Sequence, residues 1–197
     1  GLGTVVIKST VDAFPPAWIV GVRFTAAGII LGVVMLPRIR KHLDAEHLCK
    51  GSVLGVMVFL AYWSNSTGLT DTTASNSSFL TSLYCVIIPF LGWALRGPRP
   101  TRFNLAAAMV CVAGVECVSF AGADGFSLRF GDLVTLLSAL FLSFHVVYTA
   151  KFAPGSDMTL LTVIQFLVAG LLGLAAGLAL EPMPNFAALG ADTWTSL

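Results

Sequence analysis

The chain alternates long apolar stretches with short polar joints. Apolar residues run almost without interruption through 16–36, 51–70, 73–95, 103–122, 130–150 and 158–180. A helix rises 1.5 Å per residue, so about 20 residues cross a hydrocarbon core of about 30 Å. The pattern therefore predicts an all-α fold, a polytopic membrane helix bundle. A further, shorter apolar stretch covers 1–14, and we expect the sequence to begin inside or just before a first helix.

The composition supports a membrane protein. Hydrophobic residues make up 56% of the chain and charged residues 11%, against about 25% charged residues in soluble proteins. The mean hydropathy is +0.87. The joints are too short to hold a soluble nucleotide-binding or catalytic module. We therefore expect the lipid bilayer as the surroundings, with no cofactor, no metal site, no catalytic residue and no nucleic-acid partner.

Basic residues concentrate in alternate joints. Of the 11 Lys and Arg residues, eight lie in the joints 37–50, 96–102 and 151–157, whereas the opposite joints contain only Arg129. The joints of a membrane protein that are rich in Lys and Arg face the cytoplasm. The charge pattern therefore predicts that these three joints are cytoplasmic.

A weak internal repeat accompanies this topology. Residues 23–32 align with residues 165–174, which matches Phe24 with Phe166 and also matches an alanine and a glycine in each segment. The two segments cross the membrane in opposite directions in the predicted topology. The repeats would therefore be inverted, an arrangement found in many secondary transporters.

The sequence resembles the EamA-type transporters of the drug/metabolite transporter superfamily over nearly its whole length. Four features carry the resemblance. They are Arg23 in the second helix, the Thr/Ser-rich entry to the fourth helix that leads to Pro89, the Gly-containing basic joint before the Ala/Gly-rich fifth helix, and the pair Gly131-Asp132.

The resemblance implies a full protein of ten helices in two inverted five-helix repeats. It also implies transport of metabolites, amino acids or drugs across the bacterial inner membrane. On this interpretation 1–125 form the first repeat, with its first helix truncated, and 126–197 form part of the second. About seven of the ten helices would then be present.

Three charged residues lie inside apolar stretches. Lys8, Arg23 and Glu116 each lie about six residues, or about 9 Å, from the predicted extracellular end of a helix. A charge in the bilayer core costs about 2.5–3.5 kcal/mol on insertion scales. In one interpretation the two cations extend to the interface and Glu116 pairs with one of them. In the other they line a cavity that selects an anionic or zwitterionic substrate, or Glu116 takes up a coupling proton.

Two polar residues and a proline in other spans are further candidates. His145 and Gln165 lie at similar depths from the predicted cytoplasmic ends of their helices, as an inverted repeat predicts. His145 could relay a coupling proton, or it could be a hydrogen-bonded packing residue. Pro89 removes a backbone hydrogen bond in its helix, so we expect a kink there and consider a gating role.

Aromatic and amide side chains supply the chemistry of a small-molecule pocket. The candidates are Tyr62, Trp63, Asn65, Ser75, Asn76, Tyr84 and Tyr148. Tyr62 and Trp63 could instead be anchors at the membrane–water interface, which is the role that we expect for Trp18.

The sequence thus predicts a secondary-active transporter that exports a small molecule by alternating access, with homo-oligomerisation left open. One alternative is an integral membrane enzyme that acts on lipid. Its candidate residues form one cluster in a cytoplasmic joint, His42, Asp44, Glu46 and His47. The other alternative is a non-transporting scaffold, which would not need Lys8 and Arg23.

Overall fold

A computed structural model describes residues 15–95, 97, 99–120 and 129–184, with the backbone alone for 115–120. Its helices are α1 (Pro16–Val34), α2 (Leu36–His42), α3 (Ala45–Asp71), α4 (Ala74–Ser82), α5 (Tyr84–Ala94), α6 (Arg102–Phe120), α7 (Phe130–Phe152) and α8 (Met158–Leu180). The prediction of an all-α membrane bundle is confirmed. Lys8 lies outside the described residues, as does the side chain of Glu116.

Four regions of the described chain are long and apolar enough to cross a membrane. They are α1, α4 together with α5, α7 and α8. The helix α3 has 27 residues, so it is about 40 Å long, yet its second half is rich in Ser, Thr and Asn. Ser64, Ser66 and Gly68 in this half are buried. In this multi-pass membrane protein, one face of the polar half of α3 is thus buried against its neighbours.

Helices α3 and α8 lie at the centre of the bundle. α8 packs along α1 and α3, and α7 packs along α3. α4 and α5 pack on α7, and α6 packs at the periphery on α4 and α5. The buried centre comprises Val20, Val58, Phe59 and Ala169. Helices α7 and α8 therefore both pack on α3 rather than along each other.

The α1–α8 interface depends on small residues. A Cβ atom on Gly21 would lie 2.6 Å from the backbone nitrogen of Leu174, and one on Gly173 would lie 2.5 Å from the backbone nitrogen of Gly21. Only glycine permits such an approach. Gly28 meets Leu167 farther along the interface. The two helices are therefore antiparallel, the direction that an inverted repeat requires.

Trp18 is part of this same interface. Its side chain is 6% exposed, and its indole ring lies 3.0 Å from the position of a Cβ on Gly177. The prediction of an interfacial anchor is wrong for Trp18, because the missing side chain of Gly177 leaves room for the indole between the helices.

The span that contains Pro89 is interrupted earlier than expected. Helix α4 ends at Ser82 and α5 begins at Tyr84, and the N–H of Leu83 donates to the carbonyl of Leu80 over 3.2 Å. This i→i−3 bond tightens the turn, as in a 3₁₀ segment. The helix then continues through Pro89. The visible interruption is therefore at Leu83, and gating at Pro89 stays a prediction.

Polar contacts group the joints into two ends of the bundle. The basic end comprises α2, the start of α3 and the joint 153–157, where the Arg38 Nε lies 2.6 Å from the Asp157 Oδ2. The opposite end comprises the end of α3 and the starts of α1 and α7. There the N–H of Ala17 donates to the Glu181 carboxylate over 3.0 Å. This grouping is the one that alternate threading predicts.

Candidate functional site

A polar bridge joins α7 and α8 inside the bundle. His145 Nε2 lies 3.0 Å from Gln165 Oε1, and Thr149 Oγ1 lies 3.5 Å from the same imidazole nitrogen. With the amide oxygen as acceptor, the Nε2 atom carries the ring proton. The structure thus brings together two residues that the sequence placed at equal depth.

The position of this bridge follows from the packing of α3. Gly51 and Gly55 of α3 meet Ile164 and Val168 of α8, each within 2.7 Å of an added Cβ. α8 is thereby held against the basic half of α3, with Gln165 between these two contacts. Both members of the bridge are half-buried, and Tyr148 lies one turn along α7 from His145. The ring of Tyr148 packs on Phe152 and lies 5.7 Å from the Lys151 Nζ.

A second polar contact joins α3 to the interrupted span. The side-chain amide of Asn65 donates to the Thr81 hydroxyl over 2.9 Å. Close by along the chain, the Ser143 hydroxyl of α7 lies 3.5 Å from the carbonyl oxygen of Tyr84 and donates more closely, at 2.7 Å, to Ala139. Of the predicted pocket residues, Asn65 thus contacts the span just before the break at Leu83, and Tyr84 lies just after it.

Aromatic rings fill the space between α1, α3 and α8. Phe24 makes edge contacts with Tyr62 at 5.0 Å and with Phe166 at 5.4 Å between ring centroids. Trp63 stacks on Phe59 at 5.5 Å. The repeat-matched residues Phe24 and Phe166 therefore meet directly. Tyr62 is 41% exposed, so it also forms part of the surface of the bundle.

The remaining predicted site residues are separate from these contacts. Arg23 is half-buried on α1, and no hydrogen bond or ion pair joins it to another described side chain. Ser75 is exposed in the first turn of α4, and Asn76 donates its backbone N–H to the Thr73 hydroxyl over 3.2 Å. The roles predicted for these residues stay predictions, and so does the role of Glu116.

The opposite end is closed by a buried network. The Thr72 hydroxyl donates to Asp132 Oδ1, and the backbone N–H of Arg129 donates to Asp132 Oδ2 over 2.8 Å. Asp132 is 3% exposed. The N–H of Gly131 donates to Asp71 Oδ2 over 3.0 Å. The end of α3 is therefore fixed to the first turn of α7.

The basic end is held by ionisable side chains. The Asp157 carboxylate binds Arg38 and also accepts the N–H of Thr159 over 3.0 Å, which caps α8. The Arg38 guanidinium lowers the pKa of Asp157. The backbone N–H of Asp157 donates to His47 Nε2 over 3.0 Å. One residue, Asp157, thus links α2, α3 and α8.

A pocket of about 370 Å³ adjoins these contacts. It is lined by Lys41, His42, Leu43, Asp44, His47, Gly155 and Asp157. Among the residues that the structure describes, no group of three or more His, Cys, Asp and Glu is arranged to hold a metal ion. Asp44 accepts the backbone N–H of His47 and lies 2.7 Å from its Nδ1, and these bonds lower the pKa of Asp44.

Sequence reasoning did not identify several of these partners. Asp157 and Asp132 precede or open apolar runs, which is a visible helix-cap signal. Thr81 and Ser143 gave no such signal, because each is one of several hydroxyl residues in its span. Their partners depend on how the helices cross.

The chain is similar to the proteins of a known family. The sequence pattern of the EamA-like transporter family matches residues 1–120. An uncharacterized transporter of Archaeoglobus fulgidus is 28% identical over 160 residues, which are 81% of this chain and 48% of that protein. The uncharacterized transporter YvbV of Bacillus subtilis is 25% identical over 192 residues, 96% of this chain and 60% of that protein. The chain therefore spans less than two thirds of either relative. No solved structure matches the chain significantly.

Proposed function

The chain belongs to the EamA-like transporter family, and from that premise we propose that it works in a secondary-active transporter of the bacterial inner membrane. The transporter exports a small metabolite, amino acid or drug by alternating access between two inverted repeats. The antiparallel packing of α1 on α8 supports the inverted arrangement, because the repeat-matched Phe24 and Phe166 meet in this interface.

The observation that carries the proposal is the bridge between His145 and Gln165. Polar side chains in apolar spans are costly unless they are paired or line a polar path. These two residues come from helices that pack on α3 rather than along each other. A substrate amide, hydroxyl or carboxylate can replace one member of the bridge and hydrogen-bond to the other, so we assign the pair to substrate binding.

Arg23 is the second recognition element in this proposal. It is a half-buried cation that makes no ion pair with a described carboxylate, and it adjoins Phe24 of the aromatic contacts. A guanidinium presents a planar fork that matches a carboxylate. We therefore favour an anionic or zwitterionic substrate.

The hydrogen bonds of the cluster His42, Asp44, Glu46 and His47 favour a structural role for His47 over the lipid-enzyme alternative. Both ring nitrogens of His47 take part in hydrogen bonds, and His42 Nδ1 lies 3.2 Å from the carbonyl of Arg38. A general base needs a nitrogen that can reach a substrate proton. The contacts of His47 are better explained by a structural role, in which it links the helices at the basic end, than by a role as a general base.

The test measures transport by the protein expressed from the complete gene and reconstituted in proteoliposomes. A panel of radiolabelled amino acids and organic anions identifies a substrate, and counterflow of that substrate is then compared among variants. Gln165→Leu should reduce counterflow at least tenfold, because the bridge loses its amide, while the melting temperature falls by only a few degrees.

Thr162→Val on the same helix is the matched control. The Thr162 hydroxyl donates only to the carbonyl of Met158 in its own helix, over 2.8 Å, so counterflow should stay near the wild-type rate. Equal counterflow in the Gln165 and Thr162 variants would remove the bridge from the substrate path. Failure of every panel compound to be transported by the wild type would contradict the proposed substrate class.

A further inference from the structure

His47 fastens the start of α3 to the joint between α7 and α8. A backbone N–H can only donate, so the Asp157 N–H at 3.0 Å requires an unprotonated Nε2 on His47. The ring proton is then on Nδ1, which donates to Asp44 Oδ1 over 2.7 Å. We call this link between His47 of α3 and Asp157 of the joint the clasp. We propose that His47 is a proton-binding site and that a proton on its Nε2 opens the clasp.

Protonation changes the His47 Nε2 atom from a hydrogen-bond acceptor into a donor. Once Nε2 carries a proton, it faces the Asp157 N–H donor to donor, and the hydrogen bond is lost. A turn of the imidazolium toward the carboxylate of Asp157 would compete with bonds that this carboxylate already makes. The Asp157 Oδ1 accepts from Thr159 and Leu160, and the Asp157 Oδ2 is 2.6 Å from the Arg38 Nε. We therefore expect the joint to separate from α3 rather than give up the α8 cap and the Arg38 ion pair.

Charged groups around His47 permit it to bind the proton. Asp44 is an anion in direct contact with the ring, and its pKa is lowered, so it stays ionised in mild acid. Glu46 precedes His47 and is paired with Lys50 at 2.5 Å. From the other elements, the charges of Arg38 and Asp157 offset each other.

The remaining facing groups line the adjoining pocket. Lys41 and His42 of α2 lie around its rim, and both are exposed to solvent. The His47 side chain is 13% exposed, so a proton can reach it through this pocket of about 370 Å³. Histidine is the side chain whose charge ordinarily changes between about pH 5 and pH 8.

The experiment measures the separation of the clasped segments directly. Spin labels are attached to the native Cys49 on α3 and to a P154C variant in the joint, both exposed positions, with the other cysteines replaced by alanine. The protein expressed from the complete gene is studied in nanodiscs at about pH 8 and about pH 5. The distance between labels should lengthen in acid by on the order of 5 Å, the scale of a one-turn displacement.

Two substitutions of His47 and one matched control decide the outcome. His47→Gln does not titrate and can still accept the Asp157 N–H, so the short distance should persist at both pH values. His47→Arg carries a permanent charge, so the long distance should appear at both. His42→Gln removes the neighbouring imidazole, whose Nδ1 contacts only its own helix, and should respond to pH like the wild type.

The opposite results are equally clear. A wild-type distance that does not change with pH would overturn the proposal. A His47→Gln protein that lengthens like the wild type would overturn it as well. If His47→Gln does not fold, the distance between the labels in His47→Arg at pH 8 is used instead. A short distance in that variant would reject the proposed role of His47. None of these distances requires a transported substrate.

Discussion

The two ends of the bundle are closed by different physical means. At the opposite end, Gly68 and Gly131 bring the backbones of α3 and α7 together, and an Asp132 carboxylate that is 3% exposed accepts two hydrogen bonds. At the basic end, the Arg38 side chain in the ion pair with Asp157 is 56% exposed. The opposite end joins α3 to α7 by close backbone packing, whereas the link from α2 to α8 at the basic end has a partner, Arg38, that water can reach.

This difference indicates which end can open at low cost. Separating closely packed backbones exposes buried hydrogen-bonding groups, and each unsatisfied group costs about 1–3 kcal/mol. Solvent-exposed ion pairs contribute about 0–1 kcal/mol, because water competes for the charges. We therefore expect the basic end to be the more mobile of the two.

The largest effect should come from filling the glycine contact. In Gly68→Ala the added Cβ would lie 2.7 Å from the Gly131 carbonyl oxygen and would also meet the hydroxyl of Thr135. Overpacking of this kind should cost about 3 kcal/mol. Thermal unfolding of the purified protein in detergent measures the loss.

Gly92→Ala is the control for this substitution. Among the described atoms outside the backbone of its own helix, none lies within 4 Å of a Cβ added to Gly92. This variant should therefore lose no stability, and the removal of a helical glycine should add up to about 1 kcal/mol. If Gly68→Ala were as well tolerated as Gly92→Ala, the opposite end would not be closely packed and the contrast between the ends would disappear.

A smaller effect is expected from removing the carboxylate at the start of α7 or the one at the start of α8. Asp132→Ala takes away the acceptor used by the Thr72 hydroxyl and the Arg129 N–H, and should cost about 2 kcal/mol. Asp157→Ala removes a carboxylate whose partner Arg38 is largely exposed, so its cost should be clearly smaller.

The two aspartate variants are compared in one chemical-denaturation or thermal series. The comparison is matched, because both residues accept backbone N–H groups at the start of a membrane helix. A larger loss for Asp157→Ala would mean that the basic end carries more of the stability, and it would reverse the order of the two ends.

The smallest effect is a dependence on acid. Arg38 lowers the pKa of Asp157, so the pair stabilises the protein above the ordinary aspartate pKa of about 3.9, and this contribution is lost as the pH falls through the lowered pKa. The wild type should therefore be more stable than Arg38→Gln at about pH 6, and the difference should vanish well below about pH 4. Melting temperatures across this range measure it.

Arg40→Gln serves as the matched variant, since Arg40 is an exposed residue of the same short helix and makes no ion pair with a described carboxylate. It should match the wild type at every pH. A difference between wild type and Arg38→Gln that persists in strong acid would show that Arg38 stabilises by packing rather than by charge.

The apolar pattern of the sequence predicted the long helices well. α8 begins and ends where the predicted stretch 158–180 does, because a polar cap and a polar end bound an unbroken apolar run. The start of α3 was missed. It begins at Ala45, inside a segment interpreted as a joint, because its first turns carry charges that face water. Asp44 was the available signal, since its side chain caps this helix.

Contacts in the site could be predicted from the sequence only between residues that lie at the same depth in the membrane. His145 and Gln165 were grouped by depth, and they meet. The pairing of Asn65 with Thr81 depends on the crossing of α3 over α4, and the burial of Trp18 depends on the absent side chain of Gly177. A single sequence records neither crossing angles nor the space that a distant glycine leaves.

The 27-residue helix α3 divides its contacts between two partners. Near the basic end its glycines contact α8, through Gly51 on Ile164, and near the opposite end its polar half contacts α7, through Gly68 on Gly131. Because the two ends of α3 are held by different helices, we expect a displacement of α7 relative to α8 to tilt α3. The hydrogen bond between His145 and Gln165 joins the same two helices, so such a tilt would act on it directly.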